Sequence, residues 1–333
     1  MPNNIAAGVS CPTDKANSRI APCAPQRAPI LRKIRVPLTG TNSSITDTDI
    51  DAAGGMAEFL AARFNDDTRS TRWHFSPELT DVEANVTEAA FGTSGSGAMF
   101  LAKRETMLQT FSMLGATLCN LKQFNELFHN KQAAYGTLDW LANGYLEGQL
   151  SRSTTVPNSY IIVAKKSQMI DVPMLTESTY TDPATVRVMF NQLRPKEDQM
   201  NTASLNLNSL GIDNLFEQAG VNTAVLQLGA APTVTGMFTF YANGACGQNL
   251  GLAEYYGGVL DAGVFKATNA TTGANMPIAL VSVNQTTGLI TLTLTTPPAT
   301  LTPVLISMQA PSAVFSILGA RYEVVTPLRV LNF

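Results

Sequence analysis

Residues 281–308 read VSVNQTTGLITLTLTTPPATLTPVLISM, and the stretch 289–295 within them alternates between apolar side chains and threonines. Ile290, Leu292 and Leu294 fall on one side of an extended chain, and the threonines fall on the other. A period of two predicts a half-buried strand, with one face on a core and the other in water. The C-terminal part of the chain is therefore expected to be built from β-sheet.

Two near copies of one pentapeptide stand at either end of the preceding segment. Residues 269–273 read NATTG and residues 284–288 read NQTTG. An internal repeat and a glycosylated stalk are the alternatives to a pair of turns, since both copies contain an Asn-x-Thr sequon. Their spacing is too short for a solenoid or propeller unit, and each glycine stands where a hairpin loop needs a left-handed residue. We predict two hairpin turns at opposite ends of a strand over residues 277–283.

Short segments of the same kind continue through residues 221–333, separated by turns rich in Gly, Asn, Pro and Thr. The predicted strands cover residues 237–241, 264–267, 277–283, 289–295, 304–308 and 322–325. We expect them to form a C-terminal antiparallel β-sandwich domain of residues 221–333.

Residues 46–220 are predicted to form a mainly helical body. Apolar side chains recur every three or four positions from Met107 to Phe128, which indicates a long amphipathic helix over about residues 103–129. Further helices are expected at residues 56–64, at residues 137–149, and after Asp182, where a proline follows at the first helical position. One short strand is expected at residues 160–164. The predicted fold class is therefore α+β.

Residues 1–45 show neither the helical nor the strand period. Their prolines are Pro2, Pro12, Pro22, Pro25, Pro29 and Pro37. This composition predicts an extended arm. We expect residues 28–38 to dock as a strand on a neighbouring subunit.

Charge and cysteine content narrow the class of protein. Only 14 % of residues are charged and the net charge is −3, against roughly 25 % charged residues in soluble domains. No Lys/Arg cluster is present, so no specific nucleic-acid partner is predicted. A polar but weakly charged surface suits a subunit that buries much of its exterior against neighbours. Neither a signal peptide nor an 18-residue apolar run is found, which predicts synthesis in a cytoplasm and no membrane partner, with export by a route that needs no signal as the alternative.

The four cysteines have no metal-binding spacing. Cys119 is expected to be a buried thiol on a helix. Cys11 and Cys23 are expected to be free thiols, with a bridge between them or to a neighbouring subunit as the alternative.

Acidic residues at 47, 49, 51 and 58 have the spacing of a calcium loop. The glycine that such a loop needs is replaced by Ala52, and no helix precedes it. We interpret these carboxylates as residues favoured by the dipole at a helix N-terminus.

The other candidates also lack a supporting pattern. The loop Gly92–Gly97 matches no phosphate-binding motif and is predicted to connect to a helix. His74 is expected in an aromatic cluster with Trp73 and Phe75, and His129 at a helix C-terminus. The acidic residues Glu78, Asp81, Glu83 and Glu88 are expected to form a solvated face. No catalytic residue, cofactor site or metal site is predicted, so the protein is expected not to be an enzyme.

Residues 263–298 read GVFKATNATTGANMPIALVSVNQTTGLITLTLTTPP. This run resembles the immunoglobulin-like sandwich modules of phage virion proteins and bacterial surface proteins. The combination of an arm, a long helix and a β-rich end is loosely similar to tailed-bacteriophage capsid subunits. The resemblance implies a virion structural protein whose partners are copies of itself and other virion proteins.

The expected function is that of a structural subunit of a virion, a capsid or tail component, which holds its neighbours through the N-terminal arm. The alternative is a host-surface or glycan-binding protein that uses loops of the sandwich, with Tyr255 and Tyr256 as recognition residues. A hydrolase whose site includes His74 or His129 is a third hypothesis.

Overall fold

A computed structural model describes residues 6–7, 28–38, 43–51, 55–114, 118–129, 135–152, 160–179, 184–195, 201–212, 220–229, 234–258, 260–309 and 321–332. The chain divides into two compact units, residues 1–218 and 219–333. Strands account for 51 % of the residues and helices for 10 %, so the predicted mainly helical body, and with it the α+β fold class, is wrong.

The first unit is built mostly from strands. Those described are β1 (Ala6–Ala7), β2 (Ile30–Pro37), β3 (Ser44–Thr46), β4 (His74–Phe75), β5 (Thr80–Thr87), β6 (Ala90–Thr93), β7 (Met99–Lys103), β8 (Thr106–Leu114), β9 (Tyr135–Leu141), β10 (Tyr145–Arg152), β11 (Tyr160–Val163), β12 (Ser167–Met169), β13 (Met174–Thr176), β14 (Thr185–Gln192) and β15 (Thr202–Asn206). The helices described are α1 (Asp47–Asp51), α2 (Gly55–Phe64) and α3 (Leu118–Phe128), with a 3-10 turn at Asn208–Leu210.

The main sheet of this unit has the order β1-β15-β10-β9-β2-β4, with β11 pairing β10 and β3. Both of its faces are buried. On one face Ile34, Leu138 and Leu146 pack against Leu60 of α2 in a single apolar cluster. Because strand side chains alternate between faces, the neighbouring positions Lys33 and Asp139 point to the other face.

A second sheet, in the order β12-β14-β8-β5 with β13 also on β14, packs on that other face. Phe111 of β8 and Phe190 of β14 lie in one apolar cluster with Tyr135 of β9 and with Phe128 of α3. Their rings meet edge to face at centroid distances of 5.9 Å for Phe111–Phe190 and 6.0 Å for Phe128–Phe190. One buried aromatic layer, formed by these residues, thus holds the two sheets together.

The long helix predicted over residues 103–129 is a strand, β8, followed by the shorter helix α3. Met107 and Phe111 are four residues apart, a spacing that fits a helix face and also the even spacing of a strand face. In the structure the period of a strand holds, because Met107, Gln109, Phe111 and Met113 are buried on one face, with Thr110 the one further buried position among the described side chains of β8. The polar Gln109 concealed this alternation in the sequence.

The helix predicted over residues 137–149 is a hairpin of β9 and β10. The dipeptide Asn143-Gly144 forms its turn, and Gly144 has a φ of 81°. An Asn-Gly dipeptide is the strongest short-range signal of a hairpin in a sequence. All of β9 is buried, so it shows no polar alternation. The helix predicted after Asp182 is also wrong, because residues 185–192 form β14 with alternate side chains buried. Asp182 itself lies outside the described residues.

The predicted N-terminal arm is also corrected where the structure describes it. Residues Ile30–Pro37 form β2, which pairs with β9 and β4 of the same chain. The six positions from Arg32 to Pro37 are all buried. This segment is therefore an interior strand of its own unit. It therefore does not serve as the strand that docks on a neighbour.

The second unit contains two sheets. Its described strands are β16 (Val221–Leu228), β17 (Met237–Gly244), β18 (Phe265–Asn269), β19 (Asn275–Met276), β20 (Ile278–Asn284), β21 (Leu289–Leu294), β22 (Pro303–Met308), β23 (Arg321–Val324) and β24 (Leu328–Leu331). The sheet orders are β20-β21-β17-β16-β23 and β19-β18-β22-β24, antiparallel except for the parallel pair β16–β23. One apolar cluster joins them, with Phe240 of β17 edge to face against Phe265 of β18 at 5.3 Å.

The two N-x-T-T-G segments form matching turns, as predicted. Asn269 accepts hydrogen bonds through its side-chain oxygen from the backbone N–H groups of Thr271 (2.8 Å) and Thr272 (3.1 Å), and Asn284 does the same with Thr286 (3.0 Å) and Thr287 (3.2 Å). The closing glycines have φ values of 72° and 71°. The first turn joins β18 to β19 and the second joins β20 to β21, so they lie at opposite ends of β20.

Cys246 forms a disulfide. Cys11 and Cys23 lie outside the described residues, so the expectation for them stays a prediction. Cys119 lies in α3, and the burial predicted for its thiol concerns a side chain outside the described part.

Candidate functional site

An exposed two-stranded ribbon extends from the second sheet of the first unit. Strand β5 pairs with β8, from Thr80 opposite Ser112 to Thr87 opposite Thr106. The other edge of β8 pairs with β14. Beyond Thr87 the ribbon continues as β6 and β7, which pair only with each other among the described strands. We call residues 90–103 the hairpin tip.

The hairpin tip exposes large apolar side chains. Phe91 is paired with Leu101, and Thr93 with Met99, so these four side chains share one face. The exposed fractions are 62 % for Phe91, 73 % for Met99 and 46 % for Leu101. Contiguous apolar surface of this kind marks an interaction site on a soluble protein.

The glycine-rich loop predicted to precede a helix is the turn of this tip. The Ser94 amide donates to the Ala98 carbonyl at 2.9 Å, the Gly97 amide donates to the Ser94 carbonyl at 2.8 Å, and Gly97 has a φ of 81°. On the other face, the ring of Phe100 lies directly over Gly92. A Cβ atom added at Gly92 would lie only 2.6 Å from Cζ of that ring. The glycines therefore serve a tight hairpin, and strand β7 follows instead of a helix.

A second feature lies in the interior of the first unit, between its sheets. Lys33 of β2, Asp139 of β9 and Glu147 of β10 occupy directly opposed positions on adjacent strands, so their side chains form a row on one face. Lys165 reaches the row from the segment after β11, where its backbone bridges to Thr137. We call these four side chains the buried charge cluster.

The contacts in the buried charge cluster are short. The ammonium Nζ of Lys33 lies 2.8 Å from Asp139 Oδ1, and that of Lys165 lies 2.8 Å from Asp139 Oδ2 and 3.3 Å from Glu147 Oε2. All four residues are buried. Two cations and two anions give the cluster no net charge, which limits the cost of removing them from water.

Two rings of the aromatic layer lie against the ammonium group of Lys33. Lys33 Nζ lies 5.3 Å from the ring centre of Phe111 and 5.2 Å from that of Phe190, within the range of cation–π attraction. Burial alone would raise the pKa of Asp139, but the charges and hydrogen bonds of Lys165 and Lys33 outweigh burial and hold that pKa well below its usual range. The carboxylate form of Asp139 is therefore strongly favoured.

The calcium-like carboxylates do not converge in the part that the structure describes. Asp49 accepts hydrogen bonds from the amide (2.8 Å) and the hydroxyl (2.6 Å) of Thr46, while the Asp49 amide donates to the Thr46 hydroxyl at 3.2 Å. This is a capping box for α1. Glu58 is exposed on α2, and the side chains of Asp47 and Asp51 lie outside the described part. Among described residues, no group of three or more His, Cys, Asp and Glu is placed to hold a metal ion.

His74 stands opposite Arg35 across strands β4 and β2. Its burial, followed by the positive charges of Arg35, Arg72 and Arg69, lowers the pKa of His74 to about 3. Trp73 and Phe75, its neighbours in sequence, do form an aromatic cluster with Phe64 on the other side of the strand. His129 directly follows α3, where its amide donates to the Asn125 carbonyl.

In the acidic stretch that was expected to form a solvated face, the described side chains of Glu78 and Glu83 make long ion pairs at the surface. Glu78 lies 3.7 Å from Arg32, and Glu83 lies 3.9 Å from Arg187. Glu83 and Glu88 are exposed, and the side chain of Asp81 lies outside the described part. Tyr255 and Tyr256, the proposed glycan contacts, are half-buried and pack against the core of the second unit.

Comparison with known proteins gives no identification. No protein-family model matches the chain, and no curated protein matches it. In the described part of the chain, none of the helices is long and apolar enough to cross a membrane.

Sequence reasoning missed both the hairpin tip and the buried charge cluster. For the tip, a glycine-containing loop between the apolar segments at residues 90–93 and 99–103 was a hairpin signal. For the cluster, the only signal was the presence of charged residues among apolar ones in a predicted segment, as at Lys33 beside Ile34 and at Asp139 between Leu138 and Trp140. Such a charge is equally compatible with an exposed strand face until the partner strands are known.

Proposed function

We propose that the protein is a non-enzymatic structural subunit of a virion, a capsid or tail component, that binds copies of itself through the hairpin tip. The observation that supports this proposal is the exposed apolar face of Phe91, Met99 and Leu101. Other virion proteins are its further partners, and the virion is its location.

The energetic argument concerns what this face gains when it is covered. Burying one large apolar side chain contributes about 1.5–3 kcal/mol, so a partner that covers all three gains several times the thermal energy. The tip extends beyond the sheet that carries it, and its two strands pair only with each other among the described strands. It can therefore bind a neighbouring copy without a change in the packing of its own unit.

A second copy of the chain is the partner that the composition favours. With 14 % charged residues and a net charge of −3, copies repel each other only weakly. A tip that enters a different site on its neighbour makes a head-to-tail contact, and such contacts generate rings or open arrays. Repetition of one contact is what a capsid or tail requires.

The test compares the full-length chain with Phe91→Ser/Met99→Ser/Leu101→Ser by sedimentation velocity and negative-stain electron microscopy. The control is Val225→Ser/Leu228→Ser/Leu280→Ser, which removes three comparably exposed apolar side chains from the second unit. We expect regular assemblies for wild type and control, and monomers for the tip variant. A wild-type chain that stays monomeric at all concentrations, or a tip variant that still assembles, contradicts the proposal.

A further inference from the structure

The buried charge cluster places an amine, a carboxyl group and a second carboxylate in contact inside an aromatic core, and nothing in the proposed function uses it. We propose that Lys165 and Asp139 condense to an intramolecular amide, with Glu147 carrying the proton and Lys33 stabilising the negative oxygen. The proposal is independent of the assembly function.

Lys165 is the nucleophile because its contacts include both carboxyl groups. Its Nζ lies 2.8 Å from Asp139 Oδ2 and 3.3 Å from Glu147 Oε2. Asp139 and Glu147 are opposed residues on β9 and β10, and directly opposed residues have Cβ atoms about 4.5–5.5 Å apart. Glu147 is therefore near both the attacking nitrogen and the carboxyl group under attack, as a proton carrier must be.

The first step is a proton transfer along the hydrogen bond from Lys165 Nζ to Asp139 Oδ2, which gives a neutral amine and a neutral acid. Both groups lie in a low-dielectric interior, where neutral forms cost less than separated charges. The two neighbouring cations disfavour the acid form of Asp139, so this state is a minor one. The condensation is therefore a slow, single maturation event.

The second step forms the new bond. The lone pair of Lys165 Nζ attacks Asp139 Cγ, and the electron pair of the carbonyl moves to Oδ1. Glu147 accepts one proton from the attacking nitrogen and then delivers it to Oδ2. The bond from Cγ to Oδ2 breaks and water leaves, Oδ1 becomes the amide carbonyl, and Glu147 returns to its carboxylate form. The net change is one ammonium and one carboxylate converted to one amide and one water.

Lys33 is placed to stabilise the intermediate. Its Nζ contacts Oδ1, the oxygen that becomes negative, at 2.8 Å. A fixed donor at the oxygen that acquires charge is the main stabilising element in acyl transfer. The ring faces of Phe111 and Phe190 favour the charged form of Lys33, so it stays a cation while Lys165 loses its proton.

The geometry also lowers the barrier that slows the same condensation between a free amine and a free acid in water. Holding two reactants in contact is equivalent to an effective concentration on the order of 10⁵–10⁸ M. The product removes one buried cation and one buried anion, which lowers the desolvation cost of the cluster.

The direct test is the intact mass of the aged, full-length chain after denaturation and reduction. Reduction is needed because Cys246 forms a disulfide, which also changes the mass. We expect a mass lower by one water than the sequence requires, and a branched peptide that joins Asp139 to Lys165. A full mass in the aged wild-type chain, or a water loss that maps elsewhere, overturns the proposal.

Variants assign the roles. Lys165→Arg and Glu147→Gln are expected to show the full mass, whereas Lys33→Arg keeps a cation at Oδ1 and is expected to condense. Tryptophan fluorescence reports folding in each variant, because Trp73 and Trp140 are the only tryptophans and both lie in the first unit. A folded Lys165→Arg or Glu147→Gln chain that still loses water contradicts the assigned role of that residue.

Discussion

Lys33 and Asp139 stand directly opposite each other on strands β2 and β9, and their charged groups meet at 2.8 Å with both side chains at most 2 % exposed. Opposed residues on neighbouring strands point to the same face, so pairing the two strands in register brings the charges together. A slip of β2 by one residue relative to β9 would turn Lys33 to the apolar face that holds Leu138, and would leave Asp139 without its partner on the other face. The ion pair therefore specifies the register of the two central strands.

Removing Asp139 is expected to destabilise the first unit strongly. In the freshly folded chain, before the proposed condensation, Asp139→Ala leaves the ammonium groups of Lys33 and Lys165 without the carboxylate that both contact, and breaking a buried ion pair in this way costs about 3–5 kcal/mol. Urea unfolding followed by tryptophan fluorescence measures the change. Glu83→Ala is the control, because its pair with Arg187 is exposed and should cost less than about 1 kcal/mol. Equal costs for the two variants would contradict this assignment.

The two N-x-T-T-G turns allow a test of whether the space around Gly288, in addition to its positive φ, requires a glycine. Gly273 and Gly288 have nearly the same positive φ, so alanine at either should cost about 1–2 kcal/mol in backbone strain. A Cβ at Gly273 meets open space, whereas one at Gly288 would collide with the amide of Asn249. We expect Gly288→Ala to be the more destabilising, measured by hydrogen exchange of the β21 amides. A larger effect at Gly273 would show that the Asn249 contact relaxes at no cost.

The C-terminal strands could be predicted because each has one face in a core and one face exposed. Strand β21 lies at Leu289–Leu294, where the alternation indicated it, and β22 lies at Pro303–Met308. Polar and apolar residues then alternate in the sequence, and turn residues mark the ends. The sequence therefore indicated six strands of the second unit, whereas β16, β19 and β24 were not predicted.

The first unit could not be read in the same way, because its central strands are buried on both faces. All of β9 is buried, and its two faces carry different chemistry, with Leu138 on the apolar side and Asp139 on the charged side. A strand of this kind has no simple period, and spacings such as that from Leu138 to Leu141 imitate a helix. The buried charge cluster was invisible for the same reason, since strand pairing brings together residues far apart in the sequence.

The imidazole of His74 should make the first unit less stable in mild acid. The folded pKa of His74 is about 3, against 6.5 for an ordinary histidine. Between those values the unfolded chain binds the proton and the folded chain does not, so the free energy of unfolding falls as pH falls from 6.5 towards 3.

We expect His74→Gln to reduce that slope, measured by urea unfolding with tryptophan fluorescence at a series of pH values in this window. His129→Gln is the matched exchange at the only other histidine. An unchanged slope in His74→Gln would contradict the assigned origin of the pH dependence.

The hairpin tip should be separable from the stability of its unit. Leu101 is exposed on the tip, so Leu101→Ala is expected to change the free energy of unfolding by less than about 0.5 kcal/mol. Phe111 is fully buried in the same ribbon, and Phe111→Ala should cost about 3–5 kcal/mol. Tryptophan fluorescence during urea unfolding compares the two, and a large loss at Leu101 would mean that the tip packs on its own unit.

The final prediction concerns Asn332, a buried polar residue directly after β24 whose side chain binds two loops of the second unit. Its side-chain oxygen accepts a hydrogen bond from the Gly236 amide at 2.7 Å, and its side-chain nitrogen donates to the carbonyls of Pro298 (2.8 Å) and Ala299 (3.2 Å). Asn332→Asp replaces that donor with an oxygen facing two carbonyl oxygens and places a charge in a buried site. Leaving buried groups unsatisfied costs about 1–3 kcal/mol, and more when the group is charged.

We therefore expect faster hydrogen exchange in β17 and β24 of Asn332→Asp, with partial recovery at low pH, where the new carboxyl group is protonated and can donate again. Asn275→Asp is the control, because Asn275 is exposed on β19 of the same unit. If both variants exchange at the wild-type rate, the two loops are held by their backbone contacts alone, such as the hydrogen bond from the Leu301 amide to the Asn332 carbonyl at 2.6 Å.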